Sequence, residues 1–329
     1  MNLFSKFSIL GLILTTTSFT HAYECDFGIE YSIDVGVGFR QDELHWDQLL
    51  TPTEFGDPEP EVITKSKWED LDIWEISVLS DVLFFDHFYA RGKASFGRVV
   101  GGHNETDLAD IFTSLPVTSI EGKAYGSKVH DFNVAVGYLF DICHDRIGFT
   151  PLFGYSRNVQ DLRTCNTKFD DSPEDDNLFD HAHFDYKSKW RGPWVGLDLY
   201  FWPTNDLRLF GAFEYHWGKI KATGSSDIVL FEEVVVDEDV LAQHLTSTED
   251  FTQRAGYTGI YLSGGFKYTF CCNWIWGVNA EYRRLSSRST RSPSVLVSNG
   301  LIEIEVPILD QPKIRWHSYS VMTTIGFAF

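Results

Sequence analysis

The 329-residue chain has 47 Asp and Glu against 27 Lys and Arg, a formal charge of −20. That balance excludes a nucleic-acid binder, which needs a basic face to neutralise phosphates. A hydrophobic content of 43% excludes a disordered chain. The 27 Phe, 14 Tyr, 10 Trp and 26 Gly, beside 2 Met and without long apolar runs, point to an all-β protein.

Residues 1–22 read as a secretory signal peptide. Lys6 supplies the positive start, Ser8–Leu14 a short apolar core, and Thr20-His-Ala22 small residues at a cleavage site. Residues 23–329 then form the mature domain. No later stretch approaches the ~18 consecutive apolar residues of a membrane helix.

The first strand is expected over 27–39. Phe27, Ile29, Tyr31, Ile33, Val35, Val37 and Phe39 alternate with Gly or polar residues. Weaker alternation predicts strands near 68–80, 88–99, 130–140 and 147–156. Clearer strands follow at 194–201, 207–217, 260–270 and 274–282, and a last one runs from Tyr319 to Phe329. Alternating apolar-out and polar-in segments of about ten residues define a transmembrane barrel strand. Short connections (81–86, 141–145, 203–206, 271–273) alternate with long ones (41–66, 102–129, 157–185, 222–256, 287–313). This predicts a single ten-stranded antiparallel transmembrane β-barrel with long outer loops and both termini in the periplasm of an outer membrane. The acidic excess of the five long connections equals the charge of the whole chain, which suggests solvated loops able to attract cations or basic peptides.

Inside the barrel the alternation places Glu30, Asp34, Glu75, Asp198, Glu214 and Glu281 with Arg91, Lys93, Arg208, Lys267 and Arg283. Charges in a narrow lumen must pair or stay hydrated, so either an ion-pair filling or a narrow pore is expected. Phe329, at the end of an alternating strand, resembles the signal read by the outer-membrane assembly machinery. No metal-ligand spacing or cofactor fingerprint occurs; His181 and His183 read as solvated loop residues.

Tyr186-Lys-Ser-Lys-Trp-Arg-Gly-Pro-Trp-Val-Gly-Leu197 resembles the sixth-strand segment of the omptins, ten-stranded outer-membrane proteases. Phe213-Glu-Tyr215, Trp217 and Gly265–Phe270 are similar to the same family. Within it the chain most resembles the outer-membrane proteins, some regarded as porins, of amoeba-associated chlamydiae. The omptin resemblance implies a water-activating Asp–His pair facing two carboxylates. Glu105 and Asp107 stand at the Asp-x-Asp motif, followed by Asp110. Ser225 and Asp227, however, occupy the Asp–His positions, and the His of that loop is the distant His244. The expected role is a narrow porin or a structural surface protein without proteolysis; the alternative is an endopeptidase using Glu105 and Asp107. The resemblance further implies lipopolysaccharide as a partner, bound on the outer wall by Lys189 with nearby Arg191 and Arg157.

The five cysteines are an odd number for an exported chain. On the expected topology Cys25, Cys143, Cys271 and Cys272 lie at the periplasmic rim and Cys165 on an outer loop. Internal bridging of Cys25 to the 271–272 turn and cross-linking to another protein both fit. The chlamydial resemblance implies disulfide-linked envelope proteins as partners.

Overall fold

A computed structural model describes residues 29–50, 61–108, 118–142, 146–169, 179–236, 239–270, 273–288, 295–298, 303–306 and 313–329. The signal peptide, Cys25, Cys143, Cys271 and Cys272 lie outside these residues. The strands are β1 (Ile29–Leu50), β2 (Glu61–Phe84), β3 (Phe88–Leu108), β4 (Thr118–Ala124), β5 (Lys128–Tyr138), β6 (Phe140–Ile142), β7 (Ile147–Phe169), β8 (Phe179–Phe201), β9 (Leu207–Val236), β10 (Asp239–Phe270), β11 (Trp274–Ser287), β12 (Val295–Ser298), β13 (Glu303–Val306) and β14 (Ile314–Ala328). All pairings are antiparallel, and β4 and β5 share one position in the ring. β14 pairs with β1 from Ser32↔Ala328 to Trp46↔Ile314, which closes a barrel of ten strand positions. The β12–β13 hairpin extends from the edge of β10 outside the ring.

All ten expected strands are present, but the long connections are not mainly loops. β1 runs eleven residues past Phe39 to Leu50, and β8 begins at Phe179 rather than Trp194. β9 and β10 form one continuous hairpin from Tyr268↔Leu207 to Asp239↔Val236. A strand of 23 residues such as β8 spans roughly 75 Å at ~3.3 Å per residue. Tilted by about 45°, it rises about 50 Å, twice the ~25 Å apolar band of an outer-membrane barrel.

The physical reason is an inversion of the two faces along each strand. On β8 the outward residues Val195, Leu197, Leu199 and Phe201 form the apolar belt, while Asp198 and Trp194 point inward. Further from the short-turn end, the outward residues become Lys187, Lys189 and Arg191, and the inward ones Tyr186 and Trp190. β1 repeats this change. Val35, Val37 and Phe39 face out over inward Asp34, Arg40 and Asp42; then Glu43 and His45 face out over inward Leu44 and Trp46. The short-turn half therefore has an apolar outside and a polar inside, as lipid requires. The other half has the polar outside and apolar inside of a barrel standing in water.

The short turns and the seam lock the register. Phe85 and Asp86 both have positive φ, 52° and 62°, between β2 and β3. Two such residues give a turn whose twist matches a tight hairpin. At the seam, Phe329 donates its N–H to the Tyr31 carbonyl at 2.9 Å, and its ring stacks on Tyr31 at 4.3 Å between centroids.

Candidate functional site: a sealed lumen and a basic collar

The lumen of the belt-level half is filled by an ion-pair network. Nearest the short turns, Lys267 bridges Asp34 at 2.5 Å and Asp81 at 3.1 Å, and the Tyr89 hydroxyl donates to Asp81 at 2.7 Å. One layer further in, Arg91 pairs with Asp198 at 2.6 Å and with Glu214, and Lys93 pairs with Glu281. The innermost layer centres on Arg40, which meets Asp42 at 2.6 Å, Asp131 at 2.7 Å and Glu75 at 3.3 Å. Arg283 shares Asp131 at 2.9 Å. Charges taken out of water persist when paired and hydrogen-bonded, and every cation here has a carboxylate within reach.

Above this network the lumen becomes apolar. Trp68, Trp190, Trp316, Leu44, Leu71 and Ile220 are at most 1% exposed and form one continuous cluster with Tyr257 and Leu285. Trp190 meets Tyr257 edge-on at 5.3 Å and Trp316 at 6.1 Å. The polar and apolar layers are joined. Arg40 and Arg283 lie over the Trp316 ring at 5.2 and 5.0 Å, a cation–π cap. Gln160 donates to Asp42 and Ser188 donates to Gln160, while the Trp190 indole donates to Ser188 at 3.1 Å. Below the cluster the cavities are small: about 20 Å³ beside His216 and about 100 Å³ beside Arg91. A larger one of about 430 Å³ opens at the short-turn mouth.

Within the network, Ser156 Oγ lies 3.0 Å from His216 Nδ1, and His216 Nε2 lies 2.7 Å from Glu214. The order hydroxyl–imidazole–carboxylate matches that of a nucleophilic triad. The adjoining 20 Å³ holds about one water, and Trp194 stacks on His216 at 5.7 Å. That leaves no room for a substrate, so the trio serves to satisfy buried polar groups.

Glu105 lies on the outer wall of β3 and pairs with Lys67 of β2 at 3.2 Å. Asp107, two residues on, is in register with Lys65. Ser225 and Asp227 lie on β9, opposite Asp185 and His183 of β8. Asp110 lies outside the described residues.

Arg157, Lys189 and Arg191 all face outward just above the apolar belt. Arg157 stands directly opposite Arg191, and Arg191 opposite Lys219. A second row sets Lys189 opposite Lys221 and Lys221 opposite Arg254. No ion pair among the described residues involves any of these six. Arg284 and Arg315 continue the collar on β11 and β14, either side of His317. Burial first, and then Arg284, push the His317 imidazole below its ordinary range. Like charges facing each other across strands are destabilising by a few tenths of a kcal/mol or more per pair, so the rows favour anionic company. The sequence singled out three collar residues and missed the rest. The signal was available on β7, β9 and β11, where Arg157, Lys219 and Arg284 follow the last apolar residue of the outward phase.

A closed ten-strand ring with an apolar belt defines the class: the chain is an outer-membrane β-barrel protein. It belongs to the Protochlamydia outer membrane protein family, whose model matches residues 34–329. The outer membrane protease OmpT of Escherichia coli has a similar fold at TM-score 0.63 and 12% identity, covering 95% of this chain and 100% of that one. The translocator domain of the autotransporter NalP from Neisseria meningitidis aligns at TM-score 0.34 and 13% identity, over 99% and 96% of the two chains. OprG of Pseudomonas aeruginosa aligns at TM-score 0.32 and 9% identity, over 92% and 97%. No curated protein matches the chain.

Proposed function

We propose that this protein is a non-conducting structural barrel of the outer membrane, with its short turns in the periplasm and its long hairpins outside the cell. One observation carries this reading over a porin: the Trp68–Trp190–Trp316 cluster fills the cross-section with fully buried side chains. Eight strands are just filled by side chains and sixteen leave a channel; ten strands with four indole-sized groups in the bore, counting Trp46, belong with the former. In a liposome-swelling assay the barrel should admit no sugar or amino acid. Swelling with a size cut-off would support a porin instead. The same preparation should leave a dibasic peptide uncut, because Glu105 is engaged by Lys67 and the neighbouring His103 is turned to Glu69 at 3.6 Å. Cleavage lost on Asp107→Ala would support the endopeptidase reading.

The collar is the second part of the proposal. Arg157, Lys189 and Arg191 engage phosphate groups of lipopolysaccharide in the outer leaflet, which relieves the facing like charges. Lipopolysaccharide co-purifying with the barrel should fall in an Arg157→Glu/Lys189→Glu/Arg191→Glu variant. An unchanged amount per barrel would contradict this role.

A further inference from the structure

Above the belt the outer wall is not uniformly basic. There β1 and β2 turn out Glu43, Glu69, Asp70 and Asp72 along with His45 and Lys67, with Glu105 beside them on β3. Asp70 sits in a bulge with φ 51°, where the register between β2 and β3 shifts. The bulge pushes Asp70 out as an exposed group held by Gln41 at 3.0 Å. Some of these acids have local partners, Glu105 with Lys67 and Glu69 with His103 at 3.6 Å, yet acid remains in excess. The basic face is centred on β9, where Lys219 and Lys221 stand beside Lys189, Arg191 and Arg254.

The ring order makes this arrangement directional. From β2 the route through β3, the β4/β5 position, β7 and β8 reaches β9 in five steps. The route through β1, β14, β11 and β10 also takes five. The two faces are therefore diametrically opposed. All copies in one membrane share an orientation and a depth, so the acidic face of one stands level with the basic face of the next. Below each face, inside the belt, part of the wall carries small residues. β3 turns Ala90, Gly92 and Ala94 to the lipid, and nothing lies within 4 Å of where a Gly92 side chain would begin. On the far side Gly211 of β9 faces Gly264 of β10, which faces Ala280 of β11. Small residues let two walls approach closely at the level of the lipid.

We propose that copies of this chain associate laterally, head to tail, with the β1–β3 acidic face of one against the β9–β10 basic residues Lys219, Lys221 and Arg254 of its neighbour. Because the two faces are 180° apart, the contact does not close into a ring and propagates as a row within the membrane. For Lys219, Lys221 and Arg254 the partner is a second copy, because acid lies at the same height on the opposite wall, while Arg157, Lys189 and Arg191 beside them face lipopolysaccharide.

The test places a photo-cross-linking amino acid at Gln41 of the full-length protein in outer membranes, which leaves the acidic residues intact. Irradiation should give a ladder of dimers, trimers and higher species, with linked peptides mapping to β9 or β10. The Lys219→Glu/Lys221→Glu/Arg254→Glu variant should lose the ladder, as should Glu43→Lys/Glu69→Lys/Asp72→Lys. Expressed together, the two should regain mixed species, because an all-acidic copy then meets an all-basic one. Regain on mixing also shows that both variants fold. A ladder insensitive to both reversals, links mapping to a neighbour's own β1–β3 face, or no ladder in the wild-type protein would overturn the proposal.

Discussion

At the scale of single residues, Arg40 carries the most consequence. It is 2% exposed and holds three carboxylates, Asp42, Glu75 and Asp131. Removing one partner of a buried pair strands uncompensated charge and costs about 3–5 kcal/mol. Arg40→Met should therefore lower the unfolding temperature sharply and deplete the heat-modifiable folded band on gels. Lys67→Ala breaks a half-exposed pair with Glu105, and exposed pairs contribute about 1 kcal/mol or less; it should leave both readouts nearly unchanged. Equal effects of the two substitutions would contradict the network's role. Phe329 acts at the seam, where its ring stacks on Tyr31 and its amide bonds to the Tyr31 carbonyl. Phe329→Ala should slow assembly and leave protein in the periplasm. An unchanged outer-membrane yield would show that neither the seam nor the terminal signal depends on this ring.

At the scale of elements, the apolar layer is the part most directly open to test. Trp190 and Trp316 come from β8 and β14 and meet in the bore. Replacing both with Ala removes about 3–5 kcal/mol of packing each. It should also leave a continuous wet path to the short-turn cavities, so the double variant should leak ions where the parent does not. A tight double variant would show that other side chains seal the lumen. These strand segments also mark how far the sequence could be read. Alternation over Ile29–Phe39 and Val195–Phe201 was plain, because lipid demands apolar residues on one phase. Beyond Phe39 the alternation continues, but apolar residues move from the odd to the even positions, Leu44 and Trp46. A search for one phase reads this change as the end of the strand. The inward charges Asp34, Glu75, Asp198, Lys93 and Arg283 were legible from phase alone. Arg40 and Asp42 lie near the phase change and escaped notice, although they anchor the innermost layer. The bulge at Asp70 was equally hidden, since no residue type is reserved for it.

At the scale of the whole molecule, two barrels are stacked end to end. One is apolar outside and charged within, the other charged outside and apolar within. Where they meet, the cation–π contacts of Arg40 and Arg283 with Trp316 join the two interiors, and the basic collar marks the same level on the outside. The net charge of −20 thus conceals a local pattern among the described residues: basic groups at the belt's edge around β9, and Glu43, Glu69, Asp70, Asp72 and Glu105 on the β1–β3 wall. A stack filled in this way should be sealed to ions. Sealing is tested most directly by recording current across a planar bilayer containing the purified full-length protein. The wild-type barrel should give a flat baseline, with ion flow appearing on loss of Trp190 and Trp316. Reproducible unitary steps from the wild-type protein would contradict it.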